Sequence, residues 1–319
     1  MKKAKIYVYL LTGFLGSGKT TLLNTLLQQF SDQKNIVIEN EFGKINIDTT
    51  LIKGKFESVF ELTNGCICCS ISNQLFETLS LIDSLPEKPN NLFIETTGIA
   101  DAGEVASIFN QLYISEKFDL KKIICVVDAQ NINYYIDSAV EIHKQIVASD
   151  CILINKTETI ELNEIDSVKK LVKSLNPFAE IILSKDGGLL KDFLFTPNNS
   201  KIRIENTIDQ TKNIHNIKSL LFETDSKFNI QQLKYELFKI LYLYYHQIFR
   251  IKGYVLDTNN EVFLVQSIGK TTSITPVKNK KIEKSQLVFI GTVLEIKSIE
   301  RLMKPAFEKI NKKKAQLIS

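Results

Sequence analysis

The chain has 319 residues, of which 44% are hydrophobic and 24% charged, with 13 Gly and 6 Pro. That is the profile of an ordinary globular protein with room for about two domains, and it excludes a fibre or a disordered tail. No apolar run reaches membrane-spanning length, so no membrane partner is expected. The net charge of +4 is uneven: residues 1–214 carry 22 Lys+Arg against 27 Asp+Glu, and residues 215–319 carry 18 against 9.

Residues 6–11 form a short β-type run behind Lys2, Lys3 and Lys5. The pattern superficially resembles a secretory leader, but the run is short, lacks a small-residue cleavage site and leads straight into a functional loop, so a cytoplasmic location is expected. That loop, Gly13 to Thr20, reads Gly-Phe-Leu-Gly-Ser-Gly-Lys-Thr. It is a complete phosphate-binding loop, whose glycines let backbone N–H groups close around anionic oxygens while the Lys reaches β- and γ-phosphates and the Thr faces Mg²⁺. Gly13, Gly16, Ser17, Gly18, Lys19, Thr20 and Thr21 are therefore the expected phosphate set. A helix-like stretch at 21–27 follows and adds the positive end of its dipole.

A second strand at 35–38 precedes Glu39-Asn40-Glu41-Phe42-Gly43-Lys44-Ile45-Asn46-Ile47-Asp48. Mixed carboxylates and a glycine there suit a switch that orders around Mg²⁺ and a γ-phosphate, with Glu41 and Asp48 as candidate general bases. After a strand at 56–62 comes Asn64-Gly65-Cys66-Ile67-Cys68-Cys69-Ser70, which holds three of the five cysteines. In an extended segment Cys66 and Cys68 point the same way, and Cys69 joins them if the chain turns into the helix expected at 71–85. Three thiolates suit Zn²⁺ or another thiophilic ion. A tetrahedral site then wants a fourth ligand from Glu41, water or a client protein. Buried structural cysteines and a redox pair are the competing readings. Cys125 and Cys151 lie in apolar runs and read as small buried hydrophobes.

The strand 92–95 ends in Glu95-Thr96-Thr97-Gly98, where Glu95 would hold Mg²⁺ and the Gly98 N–H would sense a γ-phosphate. Lys19, Thr20 and Glu95 make up the candidate catalytic set. Helix-like 102–113, strand 123–127, helix-like 134–147 and strand 151–154 lead to Asn155-Lys156-Thr157-Glu158. This tetrapeptide resembles a guanine-reading N-K-x-D element with Glu158 where Asp is usual. A carboxylate there accepts hydrogen bonds from guanine N1 and its exocyclic amine, which adenine cannot offer in that arrangement. A helix at 162–175 and a strand at 181–183 follow. The alternation predicts an α/β fold, a mostly parallel sheet with flanking helices and ligands at the carboxyl ends of its strands.

The polar stretch around Pro197-Asn198-Asn199-Ser200 reads as a linker, dividing a nucleotide-binding domain at 1–195 from a smaller α+β domain at 215–319, with 196–214 between them. The second domain is predicted from strands at 217–223, 248–256, 262–266 and 286–290 and helices at 230–242 and 296–310. Asp257-Thr258-Asn259-Asn260 marks a hairpin. Lys278, Lys280, Lys281 and Lys284 lack the aromatic interleaving of a single-strand nucleic-acid groove, so no nucleic-acid partner is expected.

The phosphate loop, Asn40-Glu41-Phe42-Gly43, Gly65-Cys66-Ile67-Cys68-Cys69, Glu95-Thr96-Thr97-Gly98 and Asn155-Lys156-Thr157-Glu158 occur in this order. The chain thereby resembles the CobW-type GTPases, metallochaperone-like relatives of the urease and hydrogenase accessory GTPases. The resemblance covers residues 5–190 and, more weakly, the second domain through Phe249-Arg250-Ile251-Lys252-Gly253. It implies slow intrinsic hydrolysis of GTP to GDP and phosphate, coupled to handling of zinc, cobalt or a related metal for a client metalloprotein. A homodimer stays an open option. The metal role would fall to Cys66, Cys68 and Cys69, and the Mg²⁺·nucleotide role to Gly18, Lys19, Thr20, Glu95, Asn155 and Lys156, with Glu158 as a variant. Only His143, His215 and His246 are present, so the histidine-rich tract of many relatives is missing. Two rival readings are a regulatory GTPase with structural cysteines and a zinc-storage or redox-sensing protein stabilised by nucleotide. A small-molecule kinase is a third, against which the Asn155 to Glu158 element speaks.

Overall fold

The computed structural model describes residues 5–39, 58–61, 70–137, 139–184, 194, 217–244, 246–292 and 295–307, which fall into two compact units, Met1–His215 and Asn216–Ser319. In the first unit the strands β1 (Ile6–Thr12), β2 (Asn35–Glu39), β3 (Ser58–Glu61), β4 (Asn91–Glu95), β5 (Phe118–Asp128), β6 (Cys151–Asn155) and β7 (Glu180–Leu183) form one sheet in the order β3-β2-β4-β1-β5-β6-β7. Every pairing is parallel. Such a sheet is covered on both faces, so its inner strands read as unbroken apolar runs; β2 and β6 are buried along their whole length.

Helices α1 (Lys19–Gln29), α2 (Ser70–Ser84), α3 (Ala102–Ile108), α4 (Leu112–Ser115), α5 (Ile132–Tyr135), α6 (Val140–Ala148) and α7 (Leu162–Leu175) connect these strands. The leucines of α1 at 22, 23, 26 and 27 are fully buried in a core with Tyr9, Phe30, Val37 and Phe93. Tyr9 lies between Phe30 and Phe93 at ring separations of 5.8 and 5.3 Å. Cys125 and Cys151 are buried in β5 and β6, and burial pushes the Cys125 thiol up to about 12 and the Cys151 thiol up as well.

Two helices expected as continuous are each divided. The span 102–113 breaks at Phe109, whose ring is buried near Phe118 at 6.4 Å, while the Phe109, Asn110 and Gln111 N–H groups each bond three residues back. The span 134–147 becomes α5 and α6, because Ala139 is extended.

Parallel register puts the strand ends level. Glu39, Glu95 and Leu11 are aligned across β2, β4 and β1, Thr12 aligns with Cys125, and Asp128 aligns with Asn155. Glu39, Glu95, Thr12, Asp128 and Asn155 thus end five adjacent strands on one rim. The chain leaves β1 toward β2 on one side and leaves β5 toward β6 on the other. The crevice between β1 and β5 is therefore the topological switch point, where such folds bind ligands.

The second unit is a five-stranded antiparallel sheet, β11 (Thr271–Pro276), β10 (Val262–Ile268), β9 (Ile248–Leu256), β12 (Ser285–Thr292) and β8 (Ile217–Thr224) in that order. Its helices α8 (Ile230–Tyr244) and α9 (Ile296–Met303) share a core with it through Leu233, Leu237, Ile251, Val255, Phe289 and Met303. The hairpin at Asp257 forms: Asn260 takes φ 63, and the Asp257 carboxylate accepts from the Asn259 and Glu261 N–H groups. β11 is not evident in the sequence, since an edge strand of Thr, Ser and Pro carries no hydrophobic alternation. The helix expected at 296–310 turns into a 3-10 segment at Lys304–Ala306, where Pro305 removes a donor. The proposed linker, residues 196–214, lies outside the described residues.

Candidate functional site

β1 delivers the chain into the loop at residues 13–18, and α1 starts at Lys19. Gly13, Gly16 and Gly18 all take positive φ, at 141, 70 and 106. Gly18 is doubly constrained, because a Cβ there would lie 2.5 Å from Asn155 Nδ2. The first turn of α1 has no acidic side chain, so its unsatisfied N–H groups present an unopposed positive end to the loop. Lys19 is 8% exposed, and its Nζ donates to the Phe14 carbonyl at 3.2 Å. This draws the ammonium back over the loop that an anion would enter.

Across the β1–β4 boundary the Thr20 hydroxyl donates to Glu95 Oε1 at 2.9 Å. Two hard oxygens side by side at the lip of a phosphate loop are the donor chemistry Mg²⁺ takes, so these residues fit that ion. Thr96 anchors the strand end by donating to Thr12 Oγ1 at 3.0 Å. Gly98 follows, with Leu15 seated against it: a Cβ on Gly98 would lie 2.7 Å from the Leu15 side chain.

On the β5–β6 side, Asn155 is buried and its Nδ2 donates to the Ser17 carbonyl at 3.0 Å, while Lys156 Nζ donates to the Gly16 carbonyl at 2.9 Å. Two residues of the guanine-type element therefore brace the phosphate loop from 138 and 140 positions away. Lys156 takes a left-handed φ of 59, and Glu158 is exposed on the 3-10 turn Thr157–Thr159. Thr157 ties that turn to the end of β7 by donating to the Ser184 carbonyl at 3.0 Å.

Asp128 completes this side and is not singled out by sequence reasoning. Its Oδ2 accepts from Lys156 Nζ at 2.7 Å and from Asn131 Nδ2 at 3.0 Å, and its Oδ1 accepts from the Gln130 N–H. Burial pushes the Asp128 carboxyl up, but the hydrogen bonds and charge from Lys156, with Asn131 and the Gln130 N–H, outweigh it and hold the pKa below its ordinary value. The available signal was a lone carboxylate closing an apolar run, the same signal that marked Glu95. Between the loop tip and α5–α6 lies a cavity of about 220 Å³, lined in part by Phe14, Leu15, Asp128, Tyr135, Gln145 and Lys156.

Glu41, Asp48, Cys66, Cys68, Cys69 and His215 lie outside the described residues. His143 is buried in α6 with Nδ1 3.3 Å from the Ala139 carbonyl, and His246, in the second unit, is exposed.

Residues 7–183 match the nucleotide-binding domain of CobW/HypB/UreG, and residues 217–306 match the cobalamin synthesis protein cobW C-terminal domain. The chain belongs to the CobW/HypB/UreG family. Among its relatives, the Escherichia coli zinc chaperone YjiA is 32% identical over 305 residues, 91% of this chain and 95% of that protein. The zinc-regulated GTPase metalloprotein activator 1 of Saccharomyces cerevisiae is 26% identical over 363 aligned positions, covering 96% of this chain and 85% of the yeast protein. The crystal structure of Zn(II)-bound YjiA GTPase superimposes with a TM-score of 0.68 over 96% of this chain and all of that one, at 23% identity. At that identity the likeness shows the fold: a P-loop NTPase sheet followed by the CobW C-terminal domain. The loop that carries Lys19 and Thr20 and the strand ends that carry Glu95, Asp128 and Asn155 all fall within the matched nucleotide-binding domain. No helix among the described residues is long and apolar enough to cross a membrane.

Proposed function

We propose that this chain is a cytoplasmic GTP-hydrolysing metallochaperone. It binds zinc, or cobalt as the alternative cargo, at Cys66, Cys68 and Cys69 and passes it to a client metalloprotein under nucleotide control. The observation that carries the nucleotide half is the bracing of the Ser17 and Gly16 carbonyls by Asn155 and Lys156, which supports reading the phosphate loop and the guanine-type element as parts of one site. In this reading Mg²⁺, held by Thr20 and Glu95, supplies charge neutralisation for the phosphates. Lys19 leaves the Phe14 carbonyl for β- and γ-phosphate oxygens, the α1 amides hold the remaining anionic oxygens, and Glu158 accepts from the guanine edge. Glu41 and Asp48 are the candidates for orienting or deprotonating the attacking water. Slow turnover is expected, and a homodimer is a compatible assembly.

The cargo half is supported by the thiols' place in the sequence, between the segment beginning at Glu39 and the strand ending at Glu95. Three thiolates in four positions give the soft donor set that zinc prefers. Ordering of the flanking segments around Mg²⁺·GTP would then change the thiol geometry and so the metal affinity. The test is equilibrium Zn²⁺ competition with a chromophoric chelator, with a non-hydrolysable GTP analogue or with GDP, for the native chain and for Cys68→Ser. The expected outcome is a clear affinity difference between nucleotide states that disappears in Cys68→Ser. Equal Zn²⁺ affinities in the two states would sink the coupling. Metal-independent turnover with Cys68→Ser indistinguishable from native in Zn²⁺ binding would leave a regulatory GTPase.

A further inference from the structure

The turn that follows Glu95 is held from α6. Gln145, on that helix, is fully buried, and its Nε2 donates to the carbonyls of Gly98 at 3.1 Å and Ala100 at 3.2 Å. Two acceptors facing one amide nitrogen use both of its hydrogens and fix which way the amide points. One position earlier, Lys144 Nζ pairs with Asp101 at 3.2 Å, and Asp101 caps α3 by accepting from the Gly103 and Glu104 N–H groups. The short stretch from Gly98 to Asp101 is therefore gripped at three points by two adjacent side chains, while Leu15 of the phosphate loop is seated against Gly98.

Gln145 Oε1 is buried without a hydrogen-bond partner, and the residue lines the cavity beside Phe14 and Leu15. A buried amide oxygen left unmatched is unfavourable, and an apolar side chain of the same volume would avoid that cost. What the apolar residue could not do is hold two carbonyls on either side of Ile99. The Gly98 N–H belongs to the preceding Thr97–Gly98 peptide, whose carbonyl accepts from the Ala100 N–H at 3.1 Å; with that bond made and the Gly98 and Ala100 carbonyls held by Gln145, the turn carrying the N–H expected to meet a γ-phosphate is set in advance of binding. Preorganised donors of this kind add to affinity and rate because no reorganisation is needed when charge arrives.

We propose that Gln145 is a positioning residue for the triphosphate state: through Gly98 and Ala100 it fixes the γ-phosphate-sensing turn and ties that turn to α6. The inference rests on the GTPase reading above. Its distinguishing feature is selectivity, because GDP has no γ-phosphate and should not register the loss of Gln145, whereas a merely structural role would weaken both nucleotides alike.

The experiment compares the full native chain with Gln145→Met, which keeps the side-chain length and removes the donor, in Mg²⁺ buffer. Measured are Kd for GDP, Kd for a non-hydrolysable GTP analogue, and single-turnover hydrolysis at saturating GTP. Expected are a GDP affinity within roughly twofold of native, and analogue affinity and turnover each lower by about tenfold, the scale of one ordinary hydrogen bond. Equal loss for both nucleotides, or no change, overturns the proposal. Should Gln145→Met fail to fold, Gln145→Leu, smaller and likewise without a donor, takes its place, with the same selective loss expected and the same outcomes decisive. A native chain that hydrolyses GTP but binds analogue and GDP equally overturns the role of Gln145 and leaves the GTPase reading standing. A native chain that binds no guanine nucleotide overturns both.

Discussion

Asp128 pairs directly with Lys156, whereas Glu158 is exposed two residues beyond it on the 3-10 turn. Asp128 anchors the ammonium, and with it the contact to Gly16, in a setting where its own side chain is only 12% exposed. Asp128→Asn should weaken guanine nucleotide binding by roughly fivefold, the equivalent of about 1 kcal/mol for one charge-assisted contact, as read by fluorescent-nucleotide titration. Because its folded pKa is depressed, the stability it contributes is complete above the ordinary carboxylate range and fades as pH falls through the lowered value. Urea midpoints of native and Asp128→Asn chains should therefore differ at neutral pH and converge in acid; a constant gap would contradict this. Glu158 projects from its turn and is exposed, so its removal costs little stability. Glu158→Ala should lower GTP affinity by at least about tenfold and leave ATP affinity unchanged, since a lost polar readout affects only the base that used it. Competition by both nucleotides measures it. The residues of the phosphate loop were readable because their types are dictated by local chemistry. Asp128 and Gln145 were not, because a single carboxylate or amide takes on meaning only from partners far along the chain.

At the scale of elements, α6 carries Gln145 and is itself fastened by α7. Asn176, fully buried just past the end of α7, donates through Nδ2 to the carbonyls of Ile146, Val147 and Ser149 and accepts at Oδ1 from the Phe178 and Ala179 N–H groups. These carbonyls lie at the last turn and the C-cap of α6, so one side chain from elsewhere fastens the end of that helix. Asn176→Ala should cost about 3 kcal/mol and lower the thermal midpoint by roughly 5–10 °C, measured by calorimetry. A loss under about 1 kcal/mol would mean water replaces the amide. The strands and the long helices at 162–175 and 230–244 were legible in hydrophobic periodicity. The breaks at Phe109 and Ala139 were not, since they arise where burial of an aromatic ring or an extended residue overrides a helical pattern. β11 escaped for the opposite reason, having no periodicity to read.

For the molecule as a whole, coupling between cargo and nucleotide must run both ways. If nucleotide state changes Zn²⁺ affinity, Zn²⁺ must change the ratio of GTP-analogue to GDP affinity by the same factor, typically 5- to 150-fold in coupled systems. Nucleotide titrations with and without Zn²⁺ should return the factor found in the metal competition; two different factors would break the thermodynamic cycle and the single-switch account with it. The division into an acidic unit and a basic unit is written in the composition, and the compact units divide after His215. By itself the sequence determined the parallel α/β class, the phosphate loop and the order of motifs, because each depends on short-range spacing and hydrophobic period. Only tertiary structure decided that Asn155 and Lys156 brace that loop, that Asp128 holds Lys156, and that Gln145 grips the turn after Glu95. Parallel register brings distant strand ends onto one rim, and no local pattern in the chain encodes which side chains will meet there.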